Sequence, residues 1–362
     1  MLYLLQMNKW KVLILLLLLF VGIGIYVNFR DPTPVVKAVP DRIIAQNLEI
    51  PWSMVFLPDG NLLFTERPGR VRMITSSGAV LETPVFTVKD VKAFGEGGLL
   101  GIATHPDFLK NHYVYLYYTY STNSQDTLNK VVRYSFIGNQ FQNPKIIVGN
   151  IPGNVNHNGG RLKFGPDGYL YITTGDSLNP SLAQNKNALA GKILRVTDDG
   201  KPAPGNPFNN LVYSFGHRNP QGLAWDDKGQ LWETEHGPTA HDEINLIKKG
   251  ANYGWPTIVG DQTAYGMETP ILTSGNNTWA PSGLLFLKPS LIFAGLRSTD
   301  LFKYDPSTKI LNKYLTDKYG RLRDVVLGPD GFIYISTSNM DGRALTHLDG
   351  DKIIRVDPAG LN

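Results

Sequence analysis

From about Val39 onward, the apolar residues of this chain come in short runs broken by a recurring polar punctuation. Phe56-Leu57-Pro58-Asp59-Gly60 leads into Asn61-Leu62-Leu63-Phe64-Thr65-Glu66, and Phe164-Gly165-Pro166-Asp167-Gly168 leads into Tyr169-Leu170-Tyr171-Ile172-Thr173-Thr174. Trp225-Asp226-Asp227-Lys228-Gly229 and Leu327-Gly328-Pro329-Asp330-Gly331 open two more copies. Each reads as strand, tight turn, strand, because Asp and Gly suit the turn and the flanking aromatic and β-branched residues suit a pleated surface. Looser relatives follow His105-Pro106-Asp107 and Lys288-Pro289-Ser290. The hairpins recur roughly every 40 to 60 residues, the span of one four-stranded propeller blade. About 320 residues at ~50 per blade predict six blades. A sandwich can carry similar hairpins, but nothing makes it repeat at that interval. No helical period of useful length follows residue 40. The expected fold is therefore all-β, a six-bladed β-propeller over residues 41–360, with loops from all blades converging on one end of a central channel.

The N-terminus has a different pattern. Val12 to Val27 is an uninterrupted apolar run, preceded by Lys9 and Lys11 and followed by Arg30. It is short for a membrane span of ~20 residues and long for a signal-peptide core, so residues 1–30 read as an N-terminal transmembrane or signal helix and 31–40 as a linker. Val36-Lys37-Ala38 is a weak cleavage site. The basic flank keeps the N-terminus inside, which places the propeller outside the cytoplasm, held at the cell membrane or secreted if the segment is cleaved.

Composition supports the strand reading and narrows the chemistry. The chain is 42% apolar and 18% charged, with 37 Gly and 24 Pro, which favours short strands and tight turns. A net charge of +4 without a basic run argues against nucleic acid. The absence of cysteine removes disulfides, thiolate metal sites and cysteine nucleophiles.

Polar residues then cluster at the expected loops. Gly95-Glu96-Gly97-Gly98 precedes one strand and reads equally as a tight corner or a ligand loop. Asn156-His157-Asn158 precedes another, with Asp176 one hairpin later, a pairing that can make a base oriented by a carboxylate or merely two turn residues. The densest stretch runs from Gly216 to Pro256. There Arg218 and Asn219 offer donors to carboxylate or quinone oxygens, and Gly237, Pro238, Asp242, Glu243 and Tyr253 offer oxygen ligands of the kind Ca²⁺ prefers. A solvated salt-bridge loop is the plain alternative. Arg321 and Arg323, two apart at a strand start, face one side and call for an anion between them, or for surface carboxylates.

Six segments in order, GEGGLLGIATHPDF (Gly95–Phe108), NHNGGRLKFGPDGYLYITTGD (Asn156–Asp176), GHRNPQGLAW (Gly216–Trp225), EHGPTAHDEINLIKKGANYGWP (Glu235–Pro256), WAPSGL (Trp279–Leu284) and GRLRDVVLGPDG (Gly320–Gly331), resemble the soluble pyrroloquinoline-quinone (PQQ) dependent aldose sugar dehydrogenases, the glucose/sorbosone dehydrogenase family. The resemblance spans roughly residues 40 to 357. It implies a six-bladed propeller with PQQ at the channel mouth, an aldose substrate oxidised to a lactone, and an external electron acceptor. By the same resemblance His157 is the general base and Asp176 the acid beside it; Arg218 and Asn219 contact the quinone, and Arg321 and Arg323 bind its carboxylates. Gly237 and Pro238 hold the cofactor's Ca²⁺ through main-chain carbonyls, Glu243, Tyr253 and Asp261 form a second Ca²⁺ site, and Trp279 borders the sugar. Two positions depart from the family pattern: Glu96 stands where many relatives have Gln, and Arg297 where glucose enzymes have a cofactor-contacting Lys. Glu96 would oppose an anionic cofactor unless protonated or paired with Arg297. The long insertions of glucose-specific enzymes are missing, which implies an open site taking several aldoses. A non-catalytic extracellular carbohydrate- or protein-binding propeller and a Ca²⁺-dependent lactonase are the alternative readings.

Overall fold

The computed structural model describes Trp10 and residues 38–121, 127–344 and 350–361. The apolar run Val12–Val27 lies outside the described residues, as does most of the linker. Among the described residues no helix is long and apolar enough to cross a membrane.

Twenty-four described strands form six four-stranded antiparallel sheets. The blades span residues 51–87, 99–152, 162–215, 220–273, 281–314 and 322–356, numbered here 1 to 6. Blade 6 takes its outermost strand from the start of the chain: β1 (Arg42–Leu48) pairs antiparallel with β24 (Asp351–Val356). The innermost strands are β2 (Pro51–Phe56), β6 (Leu99–Thr104), β10 (Leu162–Phe164), β14 (Pro220–Trp225), β18 (Pro281–Leu287) and β22 (Leu322–Leu327).

All six punctuations seen in the sequence fall at one place, the turn from the innermost strand to the second strand of a blade. In four of them an Asp carboxylate folds back to accept the main-chain N–H two residues on, Asp59 from Asn61, Asp167 from Tyr169, Asp226 from Lys228 and Asp330 from Phe332, at 2.9 to 3.2 Å. Six apolar clusters pack successive blades against one another, closing the ring from blade 6 to blade 1 through Met54, Phe64 and Ile353.

The channel end where the inner strands begin is irregular. Five of the six inner strands carry a register shift at their first residues, and β10 instead follows Gly159-Gly160. Such bulges re-aim side chains and free the backbone from the ladder. Below them the channel is plugged by polar groups. Arg161 pairs with Asp324 at 2.9 Å, donates to Ser53 Oγ and the Gln221 carbonyl, and lies over the Trp52 ring. Both charges are buried, and the Asp324 carboxylate also accepts the Met54 N–H. The plug therefore ties blades 1, 3, 4 and 6 together and floors the cavity above it.

Candidate active site

A cavity of about 500 Å³ opens at the irregular end of the channel. Its residues come from two positions in the blade repeat. One is the start of each inner strand, which supplies Trp52, Glu96, Asn158, Gln221, Ala280, Arg321 and Arg323. The other is the loop leaving the second strand, which supplies Arg67, His236, Arg297, Asp341 and Arg343. Because the two strands are antiparallel, the end of one lies beside the beginning of the other, and blades 1, 4, 5 and 6 deliver both to the same rim. The lining carries guanidiniums from Arg67, Arg297, Arg321, Arg323 and Arg343 against carboxylates from Glu96 and Asp341, so the cavity is cationic.

His157 and Asp176 meet. His157 Nδ1 lies 2.7 Å from Asp176 Oδ1, and the other Asp176 oxygen accepts Trp255 Nε1–H at 2.7 Å. Leu178 N–H also donates to Asp176, whose own N–H donates to the Arg218 carbonyl. When Asp176 accepts from Nδ1–H, His157 keeps its lone pair on Nε2. The ring is 12% exposed, and the two residues after it, Asn158 and Gly159, line the cavity.

Arg218 and Asn219 lie beside this pair. Asn219 is buried; its Oδ1 accepts the Gly159 N–H at 3.1 Å, while Nδ2 has no partner among the described residues. Arg218 donates one N–H to the His236 carbonyl and stands over the Trp255 ring, with its buried Nε also unpartnered. Arg321 and Arg323 share Asp341, at 2.8 and 3.5 Å, and Arg323 leaves a third buried Nε without an acceptor. Of these three, Arg323 lines the cavity, while Arg218 and Asn219 stand behind its lining, bonded to His236 and Gly159. Buried donors are rarely left unsatisfied, so the three favour a ligand rich in acceptor oxygens. PQQ, a planar quinone with three carboxylates, fits that donor set.

Glu96 does not pair with Arg297. Its carboxylate accepts the His157 main-chain N–H at 2.7 Å and Arg343 Nη1–H at 2.5 Å. Burial pushes its pKa up, but Arg343 and the His157 N–H outweigh this and hold it below its ordinary value, so Glu96 is ionised. Arg297 is exposed and, among the described residues, has no ion-pair partner, leaving its charge to the cavity. Trp279 is misplaced by the sequence reading: it is 6% exposed and packs against Phe293 and Phe302 inside blade 5, while its neighbours Thr278 and Ala280 reach the cavity. Ala280 is in the left-handed region at φ 47°, and the Trp279 ring turns to the apolar side. Trp52 is the aromatic that lines the cavity.

The cation ligands divide. Gly237 and Pro238 form a turn pinned by Asp242, whose carboxylate accepts the Gly237, Trp279 and Ala280 N–H groups. Among the described hydrogen bonds neither the Gly237 nor the Pro238 carbonyl accepts one, so both are free for a hard cation such as Ca²⁺. At the second site the Tyr253 hydroxyl is already spent, donating to the Leu246 carbonyl and accepting the Lys248 N–H, so only the main chain of Tyr253 remains available. Asp261 is exposed, and the Gly260 N–H beside it donates to Glu243 at 3.0 Å. Glu243 lies directly across from Glu235 in the pairing of β15 (Leu231–Glu235) with β16 (Glu243–Ile247). Burial beside one another lifts Glu235 and Glu243 to about 8 and holds Glu233 well above its ordinary value, and burial drops His217 to about 3. His217, Glu233 and Glu235 form the one described group of His and carboxylates close enough to hold a metal ion.

Sequence reading missed Trp52, Arg67, Gln221, Trp255, Asp341 and Arg343. The blade repeat held the signal for three of them, since Arg67, Asp341 and Arg343, like His236 and Arg297, follow a second strand. Residues 48–347 match the Glucose / Sorbosone dehydrogenase family. Among curated proteins the chain is similar to the aldose sugar dehydrogenase YliI of Escherichia coli, 33% identical over 84% of this chain and 91% of that one. It is also 35% identical to quinoprotein glucose dehydrogenase B of Acinetobacter calcoaceticus over 62% of this chain and 54% of that one. Among solved structures, the PQQ-bound aldose sugar dehydrogenase of Streptomyces coelicolor superposes with a TM-score of 0.81 at 39% identity, covering 89% of this chain and 97% of that one. On the match over residues 48–347, the chain belongs to the Glucose / Sorbosone dehydrogenase family.

Proposed function

We propose that the chain is a PQQ- and Ca²⁺-dependent aldose dehydrogenase that oxidises the anomeric C–OH of aldoses to the lactone. The observation that carries this is an oriented His–Asp pair with the buried, unpartnered donors Arg218 Nε and Asn219 Nδ2 beside it, next to an arginine-lined cavity in which Arg323 Nε is also unpartnered. Arg218 and Asn219 would hold the quinone oxygens, Arg321, Arg323 and Arg297 the carboxylates, and the Gly237 and Pro238 carbonyls the Ca²⁺. When bound, PQQ supplies a two-electron acceptor whose electrophilicity Ca²⁺ raises as a Lewis acid. The protein supplies the proton chemistry. His157 Nε2 takes the proton of the anomeric hydroxyl as hydride leaves the same carbon, and Asp176 stabilises the imidazolium that results. Trp255 and the Leu178 N–H fix Asp176 so that the ring does not turn away. The guanidiniums balance the negative charge that develops at the acceptor. In keeping with Val12–Val27, the domain is proposed to work outside the cytoplasm, tethered or secreted, and to pass its electrons to an external acceptor.

The test is reconstitution. Apo-protein given PQQ and Ca²⁺ should reduce an artificial dye in the presence of aldoses, and several sugars should serve. His157→Ala should lower kcat by about 10² to 10⁴ while still binding PQQ. An apo-protein that neither binds PQQ nor oxidises any common aldose would sink this reading and favour a binding propeller.

A further inference from the structure

Arg343 has no assigned role, yet it joins three blades at the catalytic histidine. It leaves the loop after β23 (Ile333–Thr337) in blade 6 and reaches two groups on the opposite side of the rim. Nη1 donates to Glu96 Oε1 at 2.5 Å and Nη2 to Asn156 Oδ1 at 2.6 Å. The other Glu96 oxygen accepts the His157 N–H at 2.7 Å, so one guanidinium and one carboxylate grip both residues of the Asn156-His157 pair. Gly95 lets the segments lie flush: the Glu96 N–H donates to the Val155 carbonyl, and a Cβ on Gly95 would sit 2.1 Å from that oxygen.

The grip acts where the backbone resists. His157 has φ 59°, the left-handed region that a residue with a Cβ adopts only when its surroundings hold it there. Asp176 orients the ring, but hydrogen bonds to the ring do not fix the main chain. The His157 N–H is held by the Glu96 carboxylate and the His157 carbonyl, more loosely, by the Ser177 N–H at 3.3 Å, and Glu96 is held in turn by Arg343. An isolated ion pair of this exposure contributes little to stability, so its use lies in geometry.

We propose that Glu96 and Arg343 form a latch that positions His157, Arg343 acting through Glu96 and Asn156 rather than on sugar or cofactor. This rests on His157 being the general base. It also accounts for a carboxylate in a cavity meant for an anion: Glu96 is neutralised locally, and a Gln at 96 would keep the acceptor for His157 but lose the charge that draws in Arg343.

The test uses the full chain and two readouts. In apo-protein, the rate of His157 acylation by diethyl pyrocarbonate, followed by peptide mass spectrometry, should rise several-fold in Arg343→Ala and Glu96→Ala and less in Glu96→Gln. In the reconstituted enzyme Arg343→Ala should lower kcat about 10- to 100-fold with sugar KM and PQQ affinity within about 2-fold, and Arg343→Lys should restore most of it. Unchanged acylation and unchanged kcat in Arg343→Ala would overturn the latch. So would a loss of PQQ affinity with normal kcat at saturating PQQ, which would make Arg343 a cofactor contact. If wild-type protein oxidises no sugar, the functional reading fails, and the acylation rates still decide the latch.

Discussion

Lys192 shows how far a single residue can depart from its expected surroundings in this fold. It is fully buried on β12 (Lys192–Val196), and its Nζ donates to the carbonyls of Leu182, Ala183 and Ala190 at 2.6 to 2.9 Å. Three carbonyls match the three donors of an ammonium, but burial pulls the pKa down to about 7. The native state therefore holds fewer protons than the unfolded chain between about pH 7 and the ordinary lysine value near 10.4. Stability contributed through this group must rise with pH across that window. Lys192→Met should lower stability throughout, because the buried carbonyls around Nζ lose a donor that carries three N–H groups when charged and two when neutral, and should flatten the pH slope from 7 to 10 in denaturant titrations. An unchanged slope would show that Lys192 is charged in the native state.

At the scale of elements, the inner strands approach one another too closely for ordinary side chains. Gly283 on β18 faces β22, and a Cβ there would sit 2.3 Å from the Asp324 carboxylate and 2.8 Å from the β22 backbone. That carboxylate is the one that pairs with Arg161 across the channel, so a methyl group would press on both the strand contact and the ion pair. Gly283→Ala is expected to cost about 1 to 3 kcal/mol, measured by urea unfolding, with PQQ affinity also reduced because the plug floors the cavity. The hairpins were legible in the sequence because Asp59, Asp167, Asp226 and Asp330 each close a local turn, using groups two residues apart. The bulges at the other end of the same strands were not. They depend on neighbouring blades, and no short-range pattern records them.

For the whole molecule, stability depends on closing the ring. β1 completes blade 6, and Asp351 on β24 reaches back to accept the Ile50 N–H as well as donors from Thr337 and Asn339. Removing residues up to Leu48 would leave blade 6 with three strands, take Ala45 and Leu48 out of the cluster and expose Met54, Phe64 and Ile353. Such a truncation should lose cooperative thermal unfolding or melt well below the full propeller, and an unchanged Tm would refute the role of β1 as the closing strand.

The sequence alone determined the blade count and placed the arginine pair at 321 and 323 on one side of a strand start, because repeat spacing and short motifs carry that information within a few residues; that His157, Asp176, Arg218 and Asn219 belong together was implied only by resemblance to a family. It could not say that Trp279 turns into blade 5, since side-chain direction is chosen by which side has room in the packed structure. Nor could it match Glu96 with Arg343. They are 247 positions apart, and only the closed ring brings the last blade's loop across the mouth to the base. Repeats and turns are local and can be read along the chain, whereas a partner for a buried charge is a fact of three-dimensional proximity.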